Sequence, residues 1–289
     1  MKELIGTGVA LITPFTEEGK VDFEGLSNLV EHLIKGDVEY LVVLGTTGET
    51  ATLNFQEKQE VITHVKKVNQ NRLPIVLGIG GNNTAALKEE FTKYDLEGIC
   101  AILSASPYYN KPTQEGIYQH YKVLSESSPL PIILYNVPGR TASNITAETT
   151  LRLANDFENI IGVKEASADL NQVMEIIKNR PDGFLVISGE DGITFPIVTC
   201  GGEGVISVVG NAYPKQFSDM VRFGLNGKYH EGRQIHYDLL DFTNLIFEEG
   251  NPGGIKAATK LLGICGDTLR LPLYKVSQNL VQRIKQSML

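Results

Sequence analysis

Eight short apolar runs punctuate the chain: GVALIT (8–13), YLVVLG (40–45), PIVLGI (74–79), GICAIL (98–103), PIILYN (131–136), IIGVKE (160–165), FLVISG (184–189) and GVISVV (204–209). Each is rich in β-branched residues and lacks strict alternation, the pattern of parallel strands covered on both faces. Between them lie stretches such as FEGLSNLVEHLIKG, NFQEKQEVITHVKKVNQ and AALKEEFTKYDLEG. Their apolar residues recur every three or four positions, which predicts helices with one buried face. Asn54 followed by Glu57 reads as a capping box opening the second of them.

The runs recur about every 20–35 residues, the spacing of right-handed βαβ units. Eight such units predict an α/β fold of the (β/α)8 TIM-barrel type. A doubly wound sheet would carry a glycine-rich loop after its first strand, whereas this strand runs into TPF. GIGGNN (78–83) resembles a dinucleotide loop, but one required glycine is missing and the unit is third in order, so no nucleotide role follows. After the eighth run come KYHEGRQIHYDLLDFTNLIFE, PGGIKAATKLLG and KVSQNLVQRIKQ, three helical patterns with no linker before them. The expected organisation is a barrel over 1–224 carrying the active site and a helical extension over 225–289 packed upon it.

Composition narrows the functional classes. A net charge of −8 argues against nucleic acid. No apolar run approaches the roughly 18 residues of a membrane span. The N-terminus lacks a signal-peptide core, with Pro14 breaking its short apolar run, so a cytoplasmic location is expected. Cys100, Cys200 and Cys265 lie far apart without a CxxC, which fits reduced core thiols. The five histidines show no HxH or HExxH spacing and read as surface or half-buried helix positions, so no metal is implied.

Barrel chemistry sits where strands end. Those ends carry GTTGE (45–49), SPYYNKP (106–112), YNVPGRT (135–141), Lys164, SGED (188–191) and VVGN (208–211). Hydroxyls, an arginine and a lysine converge on one rim, a reaction centre that calls for no cofactor. Lys164 admits two readings. A desolvated amine at a strand end can be neutral and form a Schiff base with a keto group. The same residue could instead pair with a carboxylate such as Glu165 or Glu49. Tyr135, Thr46 and one of Tyr108 and Tyr109 can relay protons, against the alternatives of packing or an ordinary turn. Thr46 and Thr47 can also offer hydroxyls to a carboxylate. The planar fork of Arg140 suits another carboxylate, unless it is simply a solvated loop arginine.

GTTGE, SPYYNKPTQEGIYQHY, YNVPGRT, GVKEAS and GVISV, in this order and spacing, resemble the dihydrodipicolinate synthase (4-hydroxy-tetrahydrodipicolinate synthase) family. The resemblance runs over nearly the whole chain and implies a lyase that condenses pyruvate with L-aspartate 4-semialdehyde in lysine and diaminopimelate biosynthesis. On that resemblance Lys164 carries the pyruvate imine. Tyr135, Thr46 and Tyr109 form the proton relay, with Tyr109 supplied across a dimer interface of a homo-oligomer, a dimer at least and a tetramer by expectation. Thr47 joins Thr46 at the pyruvate carboxylate, Arg140 holds the carboxylate of the semialdehyde, and Gly189 and Ile206 line the pocket. N-acetylneuraminate lyase and 2-keto-3-deoxy sugar acid aldolases share the lysine and tyrosine. The arginine of YNVPGRT favours the small carboxylated aldehyde. A barrel that binds a keto acid without catalysis is a remote third reading.

The family's lysine-effector site matches at Ala51, Asn82 and Tyr108. It departs at Lys58, where the sensitive pattern has histidine, and at Ala86, where it has glutamate. The resemblance therefore implies weak or absent inhibition by lysine.

Overall fold

The computed structural model describes residues 2–289. Eight parallel strands form a closed barrel in chain order: β1 Gly6–Ala10, β2 Tyr40–Val43, β3 Ile75–Gly78, β4 Ala101–Ala105, β5 Ile132–Asn136, β6 Ile160–Glu165, β7 Leu185–Ser188 and β8 Gly204–Ser207. Closure comes from β8 pairing with β1, Gly6 opposite Gly204 and Gly8 opposite Ile206. All eight runs read from the sequence are strands. The first begins and ends earlier than its apolar residues suggest, because the Asn211 amide replaces a neighbouring strand at its end. Asn211 Nδ2 donates to the Ala10 carbonyl (2.9 Å) and its Oδ1 accepts from Ile12 N (3.2 Å).

Two apolar compartments result. One lies inside the barrel and includes Tyr40, Val42, Val76, Leu103, Ile133, Tyr135, Ile187 and Ile206. The other lies between the strands and the surrounding helices. Side chains alternate between the two, as the period of a strand requires.

The second helix, Phe55–Asn69, opens with the expected capping box: Asn54 accepts from Glu57 N and Glu57 accepts from Asn54 N. The third is shorter than its pattern implies, Thr84–Glu90. Beyond it Thr92 Oγ1 donates back to Glu89 O, and Asp95 Oδ1 accepts from Glu97 N. These local side-chain bonds compete with the helix ladder. The expected C-terminal helices are Tyr229–Glu248, Gly253–Leu261 and Gln278–Gln286. Among the described residues no helix is long and apolar enough to cross a membrane.

Two local expectations need correction. Cys200 is exposed, because it follows the short helix Thr194–Thr199 at the barrel surface. His120, expected on a surface or half-buried face, is buried in the helix Gln114–Ser127. Its Nδ1 lies 2.8 Å from Thr84 Oγ1, while Nε2 has no partner among the described residues. Burial holds the ring's pKa down, to about 4 from an ordinary 6.5. The folded state therefore carries the neutral imidazole. Its stabilising contribution is complete above pH 6.5 and is lost as the pH falls through 4, amounting to on the order of 3 kcal/mol. Melting curves recorded between pH 7 and 4 should lose less stability in His120→Gln than in the unsubstituted chain. Equal slopes would place the acid sensitivity elsewhere.

Candidate active site

Alternation along β6 separates Lys164 from Glu165. Its neighbour Val163 packs toward the helices, and Glu165 also faces outward. There Glu165 accepts from Asn136 Nδ2 (2.9 and 3.2 Å), Gln172 Nε2 (2.9 Å) and Ser167 N (2.7 Å). Glu49, the other candidate partner, is buried against Lys256. Among the described residues no carboxylate forms a salt bridge with Lys164, which points into the barrel and is 5 % exposed. Register sets it directly opposite Tyr135 of β5 and Ile187 of β7. Its Nζ stands 4.4 Å from the centroid of the Tyr135 ring.

Gly189 makes room for that lysine. A Cβ there would meet Lys164 Cγ and Cε at 3.0 Å and Ala166 Cβ at 2.7 Å. Gly189→Ala is expected to slow covalent capture of a keto acid at Lys164 by about ten- to hundredfold through overpacking, measured as the rate of borohydride-trapped adduct. An unchanged rate would show that the side chain moves aside freely. Ile206 of β8 belongs to the interior cluster that includes Tyr135.

The dinucleotide-like glycines have a packing role at this rim. A Cβ on Gly78 would lie 2.3 Å from the Leu44 carbonyl oxygen, so β3 can approach the GTTGE loop only without a side chain. That loop turns tightly through the one-turn helix Thr46–Gly48, with Glu49 in the left-handed region at φ 54°. Thr46 is exposed at the mouth and Thr47 is buried beneath it. Arg140, exposed, lies in the short helix Pro138–Thr141.

Tyr109 stands apart from the cluster. It is 87 % exposed at the loop after β4, with a left-handed φ of 70°. A bulky residue in that region costs about 1–3 kcal/mol, and here the conformation holds the phenol away from its own barrel. Tyr108, also exposed, donates its backbone N–H to Asn82 Oδ1 (3.0 Å), which joins two of the expected effector positions. Ala51 and Ala86 are exposed and Lys58 is half-buried.

Two contributions escaped the sequence reading. Asp191, fully buried after β7, accepts from Val208 N (2.9 Å) and Val209 N (3.0 Å) and pins the end of β8. Burial pushes its carboxyl above the ordinary value, as it does that of Glu190, while the charge of Lys164 pulls both down. Asn251, from the C-terminal extension, donates through Nδ2 to Thr47 Oγ1 at 2.9 Å. Both partners are apparent only in space: Asn251 and Thr47 are 204 residues apart.

The arrangement is a buried amine that forms no salt bridge among the described residues, beside a phenol, with hydroxyls at one side of the mouth and a guanidinium at another. It can form an imine and bind carboxylates. Comparison with known proteins shows the family. Residues 3–288 match the model of the "Dihydrodipicolinate synthetase family". A 4-hydroxy-tetrahydrodipicolinate synthase of Flavobacterium psychrophilum is 55 % identical over 98 % of this chain and 97 % of its own. One of Parabacteroides distasonis is 52 % identical over 98 % and 95 %. Among solved structures, a dihydrodipicolinate synthase from Aquifex aeolicus superposes with a TM-score of 0.94 at 38 % identity, over 98 % of this chain and 96 % of its own.

Proposed function

The chain belongs to the dihydrodipicolinate synthetase family, and from that premise we propose that its barrel mouth condenses pyruvate with L-aspartate 4-semialdehyde to 4-hydroxy-tetrahydrodipicolinate. The observation that carries the reading is Lys164, an amine buried inside the barrel opposite Tyr135 that forms no salt bridge among the described residues. A lysine amine so placed can add to a keto carbon.

Lys164 Nζ adds to C2 of pyruvate, and the carbinolamine loses water to give the imine. Loss of a C3 proton makes the enamine, whose C3 forms a bond to the aldehyde carbon while the aldehyde oxygen takes up a proton. The amine of the added unit then attacks the imine carbon, closes the ring and releases Lys164. Tyr135, Thr46 and a Tyr109 contributed by a second copy move the protons. Thr46 and Thr47 hold the carboxylate of pyruvate, Arg140 that of the semialdehyde, and Gly189 and Ile206 shape the wall. The exposure of Tyr109 away from its own barrel supports a homodimer in which each copy completes the other's relay; the family resemblance adds the pairing of dimers into a tetramer and a cytoplasmic location. Residues 1–224 form the catalytic barrel and 225–289 the extension that braces it.

The testing experiment follows pyruvate consumption by the purified chain with and without L-aspartate 4-semialdehyde. Consumption only with the semialdehyde is expected. A chain that traps pyruvate at Lys164 under borohydride yet ignores the semialdehyde would be an aldolase for another aldehyde, such as a sugar-derived one. Lysine added to the assay should inhibit only above about 1 mM, since Lys58 repels a cationic effector and Ala86 offers no carboxylate. Submillimolar inhibition would refute that reading of the interface.

A further inference from the structure

The hydrogen bond from Asn251 to Thr47 has a direction, and direction matters for a hydroxyl. A threonine has one proton to give and two lone pairs. Asn251 Nδ2 occupies one lone pair of Thr47 Oγ1 at 2.9 Å, inside a buried contact. A carboxamide N–H cannot accept, so the Thr47 proton is left to point elsewhere. Asn251 is 8 % exposed, the Thr47 hydroxyl is the hydrogen-bond partner of its side chain while its Oδ1 has none among the described residues, and its backbone carbonyl receives a long 3.5 Å contact from Arg140 Nη2. One residue of the C-terminal extension thus touches both groups assigned to substrate carboxylates, one through its side chain and the other through its backbone.

We infer that Asn251 is a positioning residue that sets Thr47 as a hydrogen-bond donor to the carboxylate of the keto acid. The inference rests on the functional reading above. Asn251 does not touch substrate; it acts through Thr47, and its side chain acts on the keto-acid half of the site alone.

An aspartate at 251 reverses the bond. Its carboxylate accepts the Thr47 proton, deprives the keto acid of that donor and adds a negative charge nearby. The test titrates pyruvate against the borohydride-trapped Lys164 adduct, read by intact mass, in the full chain and in Asn251→Asp, Asn251→Ala, Thr47→Val and the Thr47→Val pairs with each. Asn251→Asp should raise the half-saturating pyruvate concentration on the order of ten- to hundredfold, with full trapping at saturation. In the Thr47→Val background the same change should add no more than about twofold, because the path through the hydroxyl is gone. The KM for the semialdehyde should stay within about twofold, since Arg140 meets only backbone.

A half-saturation unchanged in Asn251→Asp overturns the inference, as does an equal factor with and without Thr47. A purely structural role would lower the trapped fraction without moving half-saturation. Should Asn251→Asp not fold, the cycle with Asn251→Ala decides by the same criterion, with a smaller expected factor of about ten. Failure of the unsubstituted chain to trap pyruvate would instead remove the functional reading itself.

Discussion

Lys164→Met is expected to abolish turnover and, in the same protein, to raise the melting temperature. Methionine keeps an unbranched chain of similar length but has no nucleophile. Activity should fall about 10⁴-fold or more, and the pyruvate adduct should vanish. Stability should move the other way. Lys164 is 5 % exposed and forms no salt bridge among the described residues, so folding takes an amine from water with only the through-space attraction of Glu190 and Asp191 to offset the loss. An apolar replacement removes that penalty, and a gain of about 1–2 kcal/mol is in the usual range for relieving a functional site. Calorimetry on both proteins, with borohydride trapping alongside, supplies the two readings. A lower melting temperature in Lys164→Met would mean that the amine is held by contacts that stabilise it, contrary to the site described above.

Lys256→Met should have the opposite effect on stability. Lys256 and Glu49 are both fully buried in side chain and pair directly. Burial pulls the Lys256 amine below its ordinary pKa, and Glu49 opposes the shift. The pair is embedded in further bonds: Lys256 Nζ donates to Thr268 O (2.8 Å), and Arg270 N donates to Glu49 Oε2 (3.1 Å). Arg270 in turn reaches Glu57, Thr52 O and Gly19 O. Removing one charge strands the other in a dry site, which costs about 3–5 kcal/mol. For a chain of this size the melting temperature would drop by roughly 10 °C. Glu49→Gln combined with Lys256→Met should recover much of the loss, since glutamine can still accept from Arg270 N and carries no charge. The pair also adjoins the loop that bears Thr46 and Thr47, so Lys256→Met should weaken pyruvate capture at temperatures well below its melting point. A single mutant as stable as the parent would mean that water or another group reaches Glu49.

The contrast between these lysines explains what the chain could and could not disclose in one dimension. Strands covered on both faces must be apolar throughout, so each wrote itself into the sequence as an uninterrupted run, and a lysine closing one of them stood out. Lys256 sits in a helical pattern where a lysine is unremarkable, and its partner is 207 residues away. Nothing local encodes that separation. The same holds for Asn251, which reads as an ordinary residue ahead of a proline. Competing local bonds account for the third helix, whose apolar spacing continues past the point where Thr92 and Asp95 turn the backbone. His120 was misplaced because a helix facing both the strands and a neighbouring helix buries a wider stripe than a pattern with one buried face implies. Tyr109 was legible as a residue type, while its outward, left-handed setting was not.

The contacts of Asn251, Lys256 and Arg270 also impose an order on biosynthesis. Chains emerge from the ribosome N-terminus first, at about 5–20 residues per second. The GTTGE loop is therefore made long before the residues that secure it, and Glu49 waits through some 200 further residues for its counter-charge. The strand ring itself cannot close until β8 is available to β1. A nascent or prematurely terminated product accordingly holds Lys164 and both threonines yet lacks the brace for one side of the mouth. The loop and the residues that secure it are thus separated in time as widely as they are in sequence.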